Sequence, residues 1–179
     1  PYDEEDPPDS DETLGGFLAT AEEAVRATCE RHLILRLGLV FSETGPNLIT
    51  EMLGQIMAGG SLVLDNNLRG CPVAADDGAR VVSALLDQLG TGLEAWGTYH
   101  YCSADTATYY EFAEALLASA SQFTEFSSSA VELKEQARGH PPLNRSLDCS
   151  KIRNTFAIKQ IPWRSAIADI VKQYFADLK

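Results

Sequence analysis

Basic side chains are scarce in this chain: 14 lysines and arginines stand against 26 aspartates and glutamates, for a net charge of −12. Nucleic-acid binding draws its affinity from cations that neutralise phosphates, so no nucleic-acid partner is expected. Much of the acid lies in the opening PYDEEDPPDSDE and in Glu22 and Glu23, which leaves room for a local basic pocket elsewhere. Long apolar runs are also lacking. None approaches the roughly 20 residues of a bilayer-crossing helix, and the acidic opening is the reverse of a signal peptide, so neither membrane insertion nor secretion is expected. The four cysteines, Cys29, Cys71, Cys102 and Cys149, are far apart and form no C-x-x-C, which argues against a zinc knuckle or a redox dithiol. Scattered thiols suit a reducing cytoplasm. Histidine is rare too, and although His100 and Cys102 would share one side of a strand, no second ligand pair follows, so no metal site is expected.

Catalytic signatures are equally thin. No Gly-x-Ser-x-Gly elbow occurs. Asp76-Asp77 reads as a helix cap and Glu4-Glu5-Asp6 as a solvated loop, rather than as paired carboxylates for glycoside hydrolysis.

What is present is enough apolar material, 45% of 179 residues, to bury a real core. An opening at Pro1 on an acidic loop reads as the interior of a longer protein, so the chain is expected to be a fragment. Thr13 to Glu30 has helical periodicity through Leu14, Leu18, Ala21 and Val25. His32 to Phe41 (HLILRLGLVF) is a short Leu/Ile/Val run typical of a parallel strand covered on both faces. After Gly45-Pro46-Asn47, Leu48 to Met57 is helical until Gly59 and Gly60, and Leu62 to Asp65 is a brief strand. Asp76 or Asp77 is expected to cap a helix reaching about Leu89, with Val81, Val82, Leu85, Leu86 and Leu89 as its stripe. A strand over Gly97 to Ser103, a helix over Thr106 to Ala120, a loop over Ser121 to Ser129 and a strand near Val131 to Leu133 follow. Beyond the His140-Pro141-Pro142 break, Ser150 to Phe156 and Trp163 to Leu178 read as helices, the last burying Trp163, Ile167, Ile170, Val171 and Tyr174. Alternating helices and short strands make the chain α/β, yet its one strongly apolar strand lacks the preceding βαβ units that would bury it.

The order of these segments resembles the C-terminal part of the dTDP-4-dehydrorhamnose reductases, members of the extended short-chain dehydrogenase/reductase superfamily. PYDEEDPP is similar to the loop after the family's fifth Rossmann strand, and HLILRLGLVF with GPNLITEMLGQI to its sixth strand and following helix. GCPVAADDGARVV and LNRSLDCSKI resemble the family's Gly-x-Pro-Thr and Asn-Ser-x-Leu-Asp-x-Ser-Lys segments. The resemblance implies a Rossmann-like fold without its N-terminal dinucleotide-binding strands. Residues 1–45 would be the remnant of the Rossmann half, and 46–179 a substrate-binding domain. It further implies a nucleotide-diphosphate sugar as ligand. Asn47, the turn Arg69, Gly70, Cys71 and Pro72, and the loop Asn144-Arg145-Ser146 would face its cleft. Guanidinium groups and a glycine turn suit a diphosphate and a ring, although Arg69, Arg138 and Arg145 read equally well as solvated surface charge.

Two departures from the family bear on activity. Leu14 and Leu18 stand where the reductases carry Tyr-x-x-x-Lys, the proton donor and the lysine that tunes it. Leu37, Gly38 and Leu39 replace Thr, Ser and Trp, and Val73 replaces a Thr. With the glycine-rich pyrophosphate turn also missing, no catalytic residue and no NAD(P) site is expected in this chain. The leading expectation is thus a sugar-nucleotide-binding domain, catalytically incompetent as it stands. The alternatives are a regulatory or scaffolding module of the same fold, or part of an active oxidoreductase using another acid. A homo-oligomer formed through the unpaired strand is a further expectation.

Overall fold

The computed structural model describes residues 1–7, 13–64, 66–126, 130–133 and 144–178. In chain order it contains helix α1 (Thr13–Thr28), strands β1 (Leu33–Leu37) and β2 (Val40–Phe41), helix α2 (Leu48–Met57), and strands β3 (Leu62–Leu64), β4 (Arg69–Gly70) and β5 (Val73–Ala74). Helix α3 (Ala75–Gly90), strands β6 (Gly97–Tyr101) and β7 (Ala107–Thr108), helix α4 (Tyr109–Ala120), strand β8 (Val131–Leu133) and helices α5 (Ser150–Phe156) and α6 (Arg164–Asp177) complete it. The strands pair two by two: β1–β6, β2–β5 and β3–β8 are parallel, and β4–β7 is antiparallel. The α/β class expected from the sequence is therefore the one observed. The His140-Pro141-Pro142 break, Arg138 and the end of the 121–129 loop lie outside the described residues.

The apolar run 32–41 departs from expectation in two ways. It is not one strand: β1 runs beside β6, with Leu33 opposite Gly97 and Leu37 opposite Tyr101, whereas β2 turns to β5. The break falls at Gly38, where an added Cβ would lie 1.9 Å from the carbonyl oxygen of Cys71 and 3.1 Å from Cys102 Cβ. Only glycine permits that approach of backbone to backbone. Nor is the run unpaired, because β6 of the same chain covers one edge of β1. Among the described residues no strand lies along the other edge.

Two apolar clusters form the core. One gathers Ile49 and Leu53 of α2, Phe112 and Leu116 of α4, and Trp163, Ile167 and Val171 at and within α6 around Phe41. The Phe112 ring meets Phe41 edge-on at 5.3 Å and lies tilted 4.9 Å from Trp163. The second joins Val81 and Leu85 of α3, Tyr99 and Tyr101 of β6, and Ile152 and Phe156 of α5. Each such side chain contributes about 1.5–3 kcal/mol on full burial. The stripe expected on α3 is narrower than its sequence suggests: Val82 and Leu86 remain exposed.

Helix α1 inverts its expected orientation. Its apolar stripe points outward, leaving Leu14 and Leu18 69% and 59% exposed, and no α1 residue enters either core cluster. Gly15, Ala19 and Glu22 face inward instead. A polar clamp holds the helix: Arg36 of β1 donates twice to the Glu22 carboxylate at 2.8 and 2.6 Å, and Arg26 adds bonds to Glu22 at 2.6 Å and to Thr98 at 3.2 Å. The Arg36 hydrogen bonds, offset in part by burial and aided by Arg26, hold the Glu22 carboxyl below its usual range.

The cap expected from Asp76 or Asp77 is also not made. The N-cap of α3 is Ala74, without a side-chain bond, and both aspartates lie in the first turn, where negative charge still suits the helix dipole. Asp77 is held by tertiary contacts: it accepts from the Tyr101 hydroxyl at 2.6 Å and from Arg80 Nε at 2.9 Å.

Candidate functional site

A cavity of about 430 Å³ opens where the two core clusters meet. The interruption between β1 and β2 supplies one wall, Leu37 to Val40. The turn Leu68 to Pro72 supplies the second, and Thr108, Tyr109 and Phe112 at the start of α4 the third. Leu48, Arg145 and Leu147 close it. The glycine kink at Gly38 therefore does more than end a strand, because it opens the cleft between two strands that separate there.

Backbone bonds bring the two distant cation-bearing segments together. Arg145 N–H donates to the Arg69 carbonyl at 2.7 Å, Arg69 and Asn144 form a parallel bridge, and Arg69 is also paired antiparallel with Thr108. Asn144 Oδ1 accepts from the backbone N–H of Ser146 at 3.0 Å, which folds the loop back on itself. Of the residues expected at the site, Arg69, Gly70, Cys71, Pro72 and Arg145 line this one cavity, with Asn144 bridged behind Arg69. Gly70 has open space where a Cβ would point, so its backbone can be approached closely.

Asn47 is placed differently. Its Oδ1 accepts from Ile49 N–H at 3.0 Å and Thr50 N–H at 3.5 Å, while its Nδ2 donates to the carbonyls of Thr44 and Gly45. That is the N-cap of α2, completed as a capping box by Thr50. The side chain is fully engaged and the cavity is lined by its neighbour Leu48 instead. Val73, noted for its missing hydroxyl, is buried in the second core cluster and does not line the cavity.

The two arginines differ electrostatically. Arg69 bonds Thr106 Oγ1 at 3.1 Å and Glu111 Oε1 at 3.3 Å. Glu111 is itself held below the usual carboxylate range, first by the Thr108 backbone N–H and then by Arg69. Arg145 is exposed, and its side chain makes no hydrogen bond or ion pair among the described residues. It is the cation available to an anion entering the cavity. The α4 wall went unread in the sequence, although the Thr108–Glu111 capping box before an apolar run was a local signal for it.

Among the described residues no group of His, Cys, Asp and Glu has the geometry to hold a metal ion, and no helix is long and apolar enough to cross a membrane. His100 Nδ1 lies 3.2 Å from the Tyr2 carbonyl, and its backbone N–H donates to Glu4. A second cavity, of about 300 Å³, lies under α1 between Leu18, Ala19, Glu22, Arg36 and His100.

Comparison with known proteins gives a consistent result. The family described as RmlD substrate binding domain matches residues 1–176. The chain is 27% identical over 178 residues to the dTDP-4-dehydrorhamnose reductase of Sinorhizobium fredii, covering 96% of this chain and 60% of that protein. It is 25% identical over 173 residues to the spore coat polysaccharide biosynthesis protein SpsK of Bacillus subtilis, covering 97% and 58%. Among solved structures, the dTDP-4-dehydrorhamnose reductase of Clostridium acetobutylicum superposes with a TM-score of 0.80 at 18% identity, over 97% of this chain and 59% of that one. The Bacillus anthracis enzyme in complex with NADP gives 0.78 at 18% identity, over 96% and 58%. The chain thus has the fold of the matching part of these extended short-chain dehydrogenase/reductases, and it spans about 60% of the length of the curated relatives.

Proposed function

The chain belongs to the RmlD substrate binding domain family, and from that premise we propose that its cavity receives a nucleotide-diphosphate sugar while the chain by itself carries out no reduction. The observation that carries the reading is the meeting of Arg145 with the Arg69–Pro72 turn on one cavity wall, although 76 positions separate Arg69 from Arg145. In this reading Arg145 pairs with the diphosphate, Arg69 adds a weaker pull because it already shares Glu111, and the open face of Gly70 admits the sugar ring.

Reduction would need a proton donor and a nicotinamide cofactor. The positions on α1 that resemble the reductases' Tyr and Lys hold Leu14 and Leu18, whose exposed side chains can neither exchange a proton nor bond a ribose hydroxyl. The residues present on that face do not fit NAD(P), and no hydride step runs through them. One feature favours a second reading, a regulatory or scaffolding module: the outward stripe of Leu14, Phe17, Leu18 and Val25 on α1 is suited to a protein surface rather than to a polar cofactor.

Titration of dTDP against an NMR spectrum of the chain tests the first reading. Weak, salt-screened attraction by one free arginine sets the expected affinity at about millimolar. Shifts should cluster at residues 69–72 and 145 and disappear in Arg145→Ala. Shifts confined to other surfaces, or none at high concentration, would sink the sugar-nucleotide reading and leave the scaffolding one. Introducing Leu14→Tyr with Leu18→Lys should still give no NAD(P)H oxidation above the no-enzyme rate.

A further inference from the structure

Behind the cavity wall lies a group of three buried thiols to which the sugar-nucleotide reading assigns no role. Cys71 lines the cavity itself, Cys102 follows β6, and Cys149 precedes α5. The Sγ atoms of Cys102 and Cys149 are 3.6 Å apart, and none of the four cysteines is joined in a disulfide. The Leu147 peptide sits among the three. Its N–H donates to Cys71 Sγ at 3.4 Å, and its carbonyl accepts from Cys102 at 3.6 Å and from Cys149 at 3.9 Å. Cys29, the fourth, is exposed on the far end of α1 and takes no part.

We propose that this cluster is an oxidation site at which a hydroperoxide entering the cavity reacts at Cys71 and the oxidising equivalent passes inward to leave a Cys102–Cys149 disulfide. The division of labour follows from the hydrogen bonds. Cys71 lines the cavity and its Sγ accepts from the Leu147 N–H at 3.4 Å; the neighbouring Cys102 thiol, then this N–H, hold its thiol below the ordinary value despite burial. Cys102 is pushed up by its contacts with Cys149 and Cys71 and by burial, so it stays a protonated donor. The thiolate is the reactive form, which makes the thiol at the cavity wall the one attacked first.

The chemistry balances without any further reagent. The Cys71 thiolate attacks one peroxide oxygen, the O–O bond breaks, and Cys71 sulfenic acid forms with release of an alcohol or water. Cys102 sulfur then attacks the Cys71 sulfur, and its proton leaves with the hydroxyl as water. Cys149 sulfur attacks Cys102, returning Cys71 to the thiol with the Cys149 proton. The net change is two thiols and one hydroperoxide converted to one disulfide, an alcohol and water. Closing the 3.6 Å contact to the roughly 2.05 Å of a bond needs about 1.5 Å of approach. The product fastens the segment that carries Arg145 and Leu147 to the end of β6.

Treatment of the folded chain with hydrogen peroxide, quenching by alkylation and peptide mapping reads the outcome. The expected result is a crosslink between the Cys102 and Cys149 peptides. It should form about tenfold more slowly in Cys71→Ser and at an unchanged rate in Cys29→Ser. Because Cys71→Ser could disturb packing, dimedone trapping in the unsubstituted chain provides a second measurement, and its adduct should appear on Cys71 before the disulfide accumulates. Three outcomes overturn the proposal: Cys102 and Cys149 still alkylatable after denaturation, crosslinks that involve only Cys29, or a dimedone adduct that never falls on Cys71.

Discussion

Replacing Gly38 with alanine should be among the most damaging single-methyl changes in the molecule. The new Cβ would start 1.9 Å from the Cys71 carbonyl oxygen and 3.1 Å from Cys102 Cβ. An acceptable separation from the oxygen requires a shift of about 1 Å, and the obstacle is backbone rather than a flexible side-chain tip. The shift cannot be taken up freely on the other side, because Gly38 N–H donates to the Tyr101 carbonyl at 3.0 Å and Val73 N–H to the Leu39 carbonyl at 2.8 Å. Moving the kink therefore strains the junctions of both β1–β6 and β2–β5. Overpacking of this kind costs about 3 kcal/mol, which for a domain of this size lowers the melting temperature by roughly 6–12 °C. Urea and thermal melts followed by circular dichroism measure it, with Gly70→Ala as control. Nothing lies within 4 Å of a Cβ at Gly70, and that variant should stay within about 0.5 kcal/mol of the parent. A Gly38→Ala protein as stable as the control would refute the close-approach explanation of the broken strand.

Glu22→Gln should loosen α1 while sparing the rest, since the helix is held by the Glu22–Arg36 clamp and not by apolar packing; an effect of about 1 kcal/mol is expected. The folded-state pKa of Glu22 lies below its unfolded value, so the stabilisation is present above the unfolded value and is lost as pH falls through the folded one. Protection factors of the α1 amides, taken against the intrinsic exchange rate at each pH, should thus fall on acidification in the parent but not in the variant, and an equal pH dependence of protection in both would contradict the clamp. Tyr101→Phe should cost about 1–2 kcal/mol by removing the hydroxyl between Asp77 and Arg80. Burial, then Asp77, pushes the Tyr101 phenol upward, so its contribution is intact below the ordinary phenol value of about 10 and fades at higher pH. Spectrophotometric titration checks this: the parent and Tyr101→Phe should release the same number of phenolic protons until alkaline unfolding, and an extra proton released by the folded parent would contradict it.

Local signals in the sequence located local structure well. Helix α2 spans Leu48–Met57 as read, because Asn47 caps it and Gly59 and Gly60 follow its end. The failures share a physical cause, dependence on distant partners. Two-residue strands such as β4 and β7 exist only because chain segments far apart in sequence meet. The break at Gly38 is set by a carbonyl 33 positions away. Periodicity correctly showed that α1 has an apolar face but could not say that nothing in the described chain covers it. At the site, the Arg69–Pro72 turn and Arg145 were reached only through family resemblance, while Asn47 carried an equally visible Asn-x-x-Thr capping pattern that proved the stronger determinant of its role.

The bond from Arg145 N–H to the Arg69 carbonyl, with the bridges of Arg69 to Asn144 and Thr108, joins the turn, the 144–145 loop and the start of α4 through main-chain atoms. Peptide groups are the same whatever side chain they carry. These bonds keep their place whichever side chain stands at a position such as Arg145, whose own side chain bonds nothing among the described residues. Likeness of backbone therefore speaks to the shape of this cavity and leaves open the side chains that line it.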